Sequence, residues 1–171
     1  NILRYISSST EQQVPLADEL HYTKDFLLCM AIRYQGNLAY TLNIPDEMLA
    51  IQVPKLCVQL LVENAIKFTS TKRPPYNLDI SGFADETHYE LSIGDNGPGF
   101  SQESLSLLRE RIAQINETGL LPSLEINGMG LLNVYIRYRL LHGAHLIFRV
   151  ENRASGGACI TIGEYYDESK I

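Results

Sequence analysis

Hydrophobic residues recur along this chain with two periods, and each change of period marks an element. Leu16 to Tyr34 has helical spacing through Leu20, Phe26, Leu27, Met30 and Ile32, with Asp18 and Glu19 in the first turn, where a helix dipole favours acids. The pattern predicts a helix ending near Gly36. Leu38 to Ile44 alternates instead, which puts Leu38, Tyr40, Leu42 and Ile44 on one side of a strand that Pro45 stops. Val53 to Thr69 reads as a second helix opened by Pro54, whose missing N–H costs nothing in a first turn. Its apolar residues from Leu56 to Phe68 wrap nearly the whole cylinder, so this helix is expected to be buried. A loop through Pro74-Pro75 leads to strands Leu78 to Phe83 and Tyr89 to Asp95, which should pair as a hairpin around the ADETH turn. Ser101 to Glu117 is helical through Leu105, Leu108, Ile112 and Ile115, and Thr118 to Gly128 is irregular. A helix Leu131 to Leu141 precedes a last hairpin, Leu146 to Val150 and Ala158 to Ile162, about Ser155-Gly156-Gly157. Asn1 to Gln13 turns polar and is expected to be a frayed end or linker. Helices on one face of a mixed, largely antiparallel sheet, an α+β two-layer sandwich, is the expected fold.

Three places carry polar groups that core packing does not ask for. On the central helix Gln59, Glu63 and Lys67 follow one another at four-residue spacing, with Asn64 about 100° round the axis. Buried carboxylate, amide and ammonium groups are costly without partners, so either Glu63 pairs with Lys67 and the amide is satisfied internally, or a ligand meets them. In YELSIGDNGPGF, Asp95 shares the parity of Tyr89, Leu91 and Ile93, which places its carboxylate on the buried side of the strand. Gly97 and Gly99 follow, where missing side chains let a ligand approach the backbone. Finally Gly128 and Gly130 lead into the helix LLNVYIRYRLL, whose free N–H groups make an anion site.

Composition narrows the choice. Net charge −6 lacks the basic footprint that nucleic-acid phosphates need, and a membrane-surface partner is disfavoured for the same reason. Cys29, Cys57 and Cys159 have no metal-type spacing and read as small core residues in a reducing compartment. No apolar run approaches membrane-span length and no signal peptide is seen. Because the first residue is Asn1, the chain reads as an excerpt of a longer protein.

At these motifs the chain resembles the ATP-binding domain of sensor histidine kinases, within the GHKL group that includes DNA gyrase and the MutL proteins, and most closely the LytS/YesM type. VENAIKF resembles the N box, GDNGPGF the first glycine box and GMGLLNVYIRYRLLHG the second, in the same order and at similar spacing. The likeness extends back through PLADELHYTKDFLLCMAIRYQGNLAY, which resembles the segment joining phosphoacceptor helices to the ATP domain. It implies the Bergerat ATP-binding fold, with residues 1–36 as linker and joining helix and 37–171 as the catalytic domain. It also implies ATP and Mg²⁺, with γ-phosphoryl transfer to a histidine upstream of Asn1. Asp95 would accept from the adenine amine, with Gly97 and Gly99 beside the base. Asn64 would bind Mg²⁺ through its amide oxygen, Lys67 would contact phosphate, and Gly128, Gly130 and Leu131 would close over it. Glu63, Asn64 and Lys67 form the candidate catalytic set. The implied partners are histidine-bearing dimerisation helices of the same protein and a response regulator, and the implied parent is dimeric and anchored in a bacterial inner membrane, with this domain in the cytoplasm. The segment between the glycine boxes, Ser101 to Asn127, matches the family's mobile ATP lid.

Departures from the family pattern bear on chemistry. The gyrase and MutL branch carries a water-activating glutamate four residues before the N-box asparagine, where this chain has Leu60. Glu63 lies about 100° from that face and cannot simply replace it. Ala158 replaces a threonine usual in the third glycine region, which removes one nucleotide contact and keeps open a degenerate module that works only by interaction. His21 and His88 read as lying in a helix and a turn without acidic or HFxxN-like neighbours, and His142 and His145 flank a helix end, where cations are merely favourable, so the chain is expected to bind ATP while lacking its acceptor. A Walker P-loop string is absent, and Asn133 stands where a Rossmann site needs its third glycine.

Overall fold

The computed structural model describes residues 13–119 and 130–166. Strand β1 (Gln13–Pro15) leads directly into helix α1 (Leu16–Arg33), and strand β2 (Leu38–Asn43) follows. A 3₁₀ turn, Asp46–Met48, precedes β3 (Gln52–Pro54), and then comes the central helix α2 (Cys57–Thr69). The hairpin β4 (Tyr76–Ala84) and β5 (His88–Asp95) is followed by α3 (Gln102–Thr118), α4 (Gly130–His142), β6 (Leu146–Asn152) and β7 (Ala158–Tyr165).

Five strands form one sheet in the order β2-β4-β5-β7-β6, in which only β2 and β4 run parallel. Its register puts Leu78 opposite Asp95, Ile80 opposite Ile93, and Leu91 opposite Ile162, so one face is continuously apolar and buried. Leu16, Leu20 and Leu27 of α1, Val58, Leu61, Val62 and Ala65 of α2, and Val134 and Tyr138 of α4 share the core with that face. The opposite face carries Glu90, Ser92, Thr161 and Arg149, joined by a Ser92–Thr161 hydroxyl bond of 2.8 Å and a two-pronged Arg149–Glu90 pair at 2.9 and 2.6 Å. The α+β sandwich with helices over a mixed, mostly antiparallel sheet is therefore as expected.

The largest local difference from the sequence reading is the start of the central helix. Pro54 does not open it; Val53 and Pro54 pair with Val14 and Gln13 in a two-stranded ribbon outside the main sheet. Leu56 then turns through a left-handed conformation (φ 64°), and α2 begins at Cys57. The anchor is Glu19, 2 % exposed, whose Oε1 accepts from Leu56 N at 2.6 Å and whose Oε2 accepts from Val58 N at 3.2 Å. A carboxylate in the first turn of one helix thus caps another, answering the orphan N–H groups and positive end of α2. Burial raises the Glu19 pKa, against the lowering pull of the Leu56, Val58 and Gln59 N–H groups and of Arg137. Burial of α2 is also less complete than its composition suggests, since Leu56 is 39 % and Phe68 42 % exposed.

One other expectation changes, at the sheet edge, while the helix expected after Ser101 is present. Strand β2 ends before Ile44, and Tyr40 is 36 % exposed because this edge strand lies at the margin of the core. Within the expected lid, Gln102–Thr118 is a regular helix capped by the Ser101 hydroxyl, which accepts from Ser104 N at 3.1 Å, and ended by Gly119 at φ 64°. Its Ile115 packs with Leu132, Tyr135 and Ile136 of α4, and Tyr135 Oη donates to Asn116 Oδ1 at 2.7 Å. Residues 120–127 lie outside the described residues.

Candidate functional site

A narrow cleft lies between α2, the end of β5 and the start of α4, lined by Asn64, Ala65, Phe68, Asp95 and Leu131, with Gly99, Phe100, Ala158 and Ile160. Asp95, 5 % exposed, is the last residue of β5, and the pairing of Leu78 with Asp95 turns its side chain to the helix layer. Its Oδ1 accepts from Gly97 N at 2.7 Å and from Ala158 N at 3.3 Å. Two backbone donors fix one oxygen and leave the other for an incoming donor. The tip of the β6–β7 hairpin closes the other side: Arg153 binds Asp79 and reaches the Asp95 carbonyl at 3.4 Å. Ala158 brings no hydroxyl, yet its main-chain N–H holds the carboxylate.

The glycines have a structural cause besides ligand access. A Cβ on Gly97 would lie 2.8 Å from Asp95 Oδ1 and 3.1 Å from Thr69 Cα. Gly99 has φ +78°, and its Cβ would meet Asn152 Oδ1 at 2.7 Å. The loop must therefore fold tightly on itself before any ligand arrives.

At the other end of the cleft, Gly130 opens α4 directly against Asn64. A Cβ there would lie 2.4 Å from Asn64 Nδ2 and 2.8 Å from Oδ1. Asn64 Nδ2 is buried and has no hydrogen-bond partner among the described residues. A buried amide without a partner is costly, and beside a helix start it suits an anionic oxygen ligand. Glu63 accepts from Gln59 Nε2 at 2.8 Å, and no ion pair joins it to Lys67 among the described residues. The alternative of an internal Glu63–Lys67 pair is thereby set aside. Lys67 is exposed one turn beyond Glu63, and Leu131 is 8 % exposed in the cleft wall. Gly128 lies outside the described residues.

The structure thus brings Asn64, Asp95, Gly99 and Leu131 together along one cleft, with Gly97 and Gly130 packed directly behind two of them. Thr69, Asn152, Arg153 and the Ala158 N–H were missed by the sequence reading. Thr69 is fully buried, its hydroxyl lacks a partner among the described residues, and it lies against Gly97. The only available signal was a threonine one turn beyond Ala65 at the end of an otherwise apolar helix. The hairpin residues gave no signal, since only the β5–β7 pairing brings them near.

The histidines are not free of acids in space. His88 Nδ1 lies 3.2 Å from Asp85 Oδ1, His21 Nε2 3.8 Å from Asp25 Oδ2, and His142 Nδ1 3.0 Å from Glu164 Oε2. His142 closes α4 at the end opposite Gly130, roughly 18 Å along the axis at about 1.5 Å per residue. Its acidic neighbour therefore does not place it at the cleft.

One cleft of an α+β sandwich thus holds a buried carboxylate at one end and an unpartnered amide beside a helix start at the other. Residues 51–165 match the histidine kinase-, DNA gyrase B- and HSP90-like ATPases, and the chain belongs to that family. It is 30 % identical over 153 residues to the sensor histidine kinase/phosphatase LytS of Staphylococcus aureus, a match covering 88 % of this chain and 25 % of that protein. The chain therefore spans about a quarter of the length of the curated relatives it matches. Among solved structures it is similar to the catalytic domain of histidine kinase ThkA, with TM-score 0.62 and 18 % identity over 90 % of this chain and 94 % of that one. It is also similar to the mycobacterial sensor histidine kinase MprB, with TM-score 0.58 and 22 % identity over 90 % and 95 %. Among the described residues no helix is long and apolar enough to cross a membrane.

Proposed function

We propose that this chain is the ATP-binding catalytic domain of a two-component sensor histidine kinase. The observation that carries the reading is the pairing of a backbone-bracketed Asp95 with an unpartnered Asn64 amide across one cleft. Asp95 accepts the exocyclic amine of adenine while Gly97, Gly99 and Phe100 border the base. Asn64 and the Gly130 helix start meet the phosphates, with Leu131 completing that wall and Lys67 reaching in from the exposed side of α2.

Asn64 also fits Mg²⁺. No group of three or more His, Cys, Asp or Glu residues that could hold a metal occurs among the described residues. Mg²⁺ nevertheless needs only one or two protein oxygens when phosphates and water supply the rest, and the Asn64 carbonyl oxygen is the one at hand. When bound, it would neutralise charge on the transferred phosphoryl group. Glu63, held by Gln59, borders that position and keeps the Asn64 face of α2 polar. Leu60 is half-buried where an activating carboxylate would stand, so hydrolysis is not assisted from α2.

The acceptor is a histidine on upstream dimerisation helices of the same protein, with residues 1–36 joining them to the catalytic unit 37–171 and α1 packed into the core of that unit. The parent is a membrane-anchored, dimeric bacterial sensor whose catalytic domain faces the cytoplasm, and a response regulator receives the phosphoryl group. Support for the last partner comes from ThkA, solved in complex with the response regulator TrrA. To test the reading, the chain alone and a longer protein carrying the upstream helices are incubated with radiolabelled ATP. The chain alone should bind ATP and scarcely turn it over, whereas the longer protein should form an acid-labile phosphohistidine that Asn64→Asp reduces or abolishes. Rapid hydrolysis by the chain alone, insensitive to Asn64, would overturn the assignment.

A further inference from the structure

The last residue of β6 grips the main chain at the edge of the cleft. Asn152 Oδ1 accepts from Phe100 N at 2.7 Å, and Asn152 Nδ2 donates to Phe100 O at 2.9 Å. One side-chain amide thus satisfies both polar groups of a single residue 52 positions away. Phe100 lines the cleft, and its ring lies 6.0 Å from that of Phe68. The next residue, Ser101, caps α3, so the grip falls where the segment between the glycine boxes departs from the sheet. Gly99 is required at the same point, because a Cβ would strike Asn152 Oδ1. Arg153, adjacent in sequence, holds Asp79 and reaches the Asp95 carbonyl. The β6–β7 hairpin therefore ties the adenine-reading carboxylate and the root of α3 to one rigid support.

We propose that Asn152 is a positioning residue for nucleotide binding, fixing the Phe100 wall and the start of α3 at Ser101. This rests on the ATP-binding reading. Because the amide is exposed, its loss should barely affect global stability, while the pocket loses a fixed wall. Asn152→Ala removes both bonds. Asn152→Asp keeps the acceptor but sets a carboxylate oxygen against the Phe100 carbonyl, acceptor against acceptor in place of a bond.

The test measures Mg-ATP affinity by calorimetry, the Phe100–Leu105 amides by hydrogen exchange, and unfolding by urea, for the unsubstituted chain and both variants. Both variants should bind ATP about 3- to 10-fold more weakly, because a Phe100 wall released from Asn152 must be ordered on binding. Their Phe100 amides should exchange faster, with urea midpoints little changed. Asn152→Asp alone should regain affinity relative to Asn152→Ala as pH falls toward the carboxyl range, because a protonated acid recovers the donor. A merely structural role would not produce that pH dependence. Binding within twofold of the unsubstituted chain in both variants would overturn the proposal, as would a loss that only tracks the urea midpoint. If the unsubstituted chain binds no nucleotide, the functional reading fails and this role with it; if it binds and the variants match it, this role alone fails.

Discussion

Gly130→Ala separates the fold from the site. Gly130 is the first residue of α4 and its φ is not positive, so alanine suits the backbone there. In a helix interior the exchange favours folding by about 0.8–1 kcal/mol, and by less at a first position, so stability should stay within about 1 kcal/mol of the parent. The new methyl would sit 2.4, 2.8 and 3.0 Å from Nδ2, Oδ1 and Cγ of Asn64, closer than side-chain atoms tolerate. The Asn64 amide must rotate away, and the contact it offers a phosphate or its metal is lost. A hydrogen bond to a charged group contributes roughly 1.5–3 kcal/mol, which corresponds to a factor of about 10 to 100 in affinity. Calorimetric titration with Mg-ATP and urea denaturation of the same preparations read the two effects separately. Because both changes act on one amide, adding Gly130→Ala to Asn64→Ala should cost little further affinity. Equal Mg-ATP affinity in Gly130→Ala and the parent would refute the placement of phosphate at Asn64.

Asp95→Asn should weaken ATP and ADP about 10-fold or more, and the parent should bind GTP poorly, since guanine presents a carbonyl where Asp95 needs a donor; equal affinities for ATP and GTP in a competition titration would contradict this. Glu19→Ala should lower stability by about 2–3 kcal/mol, because the Leu56 and Val58 N–H groups lose their acceptor. Since burial raises the Glu19 pKa above 4.5 in the folded protein, its linkage contribution is fully present below pH 4.5 and is lost as pH rises through the folded value. The stability gap between the parent and Glu19→Gln, from urea midpoints, should therefore narrow from pH 4.5 to pH 7. Of the three cysteines expected in the core only Cys57 is buried, and burial pushes its thiol far up, so a thiol reagent at neutral pH should modify Cys29, which is exposed, first and Cys57 only on unfolding, as peptide mapping would show.

Sequence alone determined what depends on local period and local chemistry. Alternation in YELSIGD fixed which side of β5 carries Asp95, because strand side chains alternate whatever they pack against. The helical period of α2 likewise fixed the spacing of Gln59, Glu63 and Lys67 and the offset of Asn64. Motif order then supplied the family. Tertiary structure decided everything that joins distant residues. The start of α2 was misread because Pro54 fits a helix opener locally, while the true boundary is set by the β1–β3 ribbon and by Glu19, 37 residues before Leu56. Glu63 was open between a lysine and a ligand because both lie within reach of one helical face, and rotamer choice gave it to Gln59. Asn152 was invisible for the same reason: an asparagine at a strand end reads as a turn residue, and only the pairing of β7 with β5 and β6 carries it to the main chain of Phe100. Local periods are written in neighbouring residues, whereas caps, clamps and orphaned amides arise from chain closure across the sheet, which no short window of sequence contains.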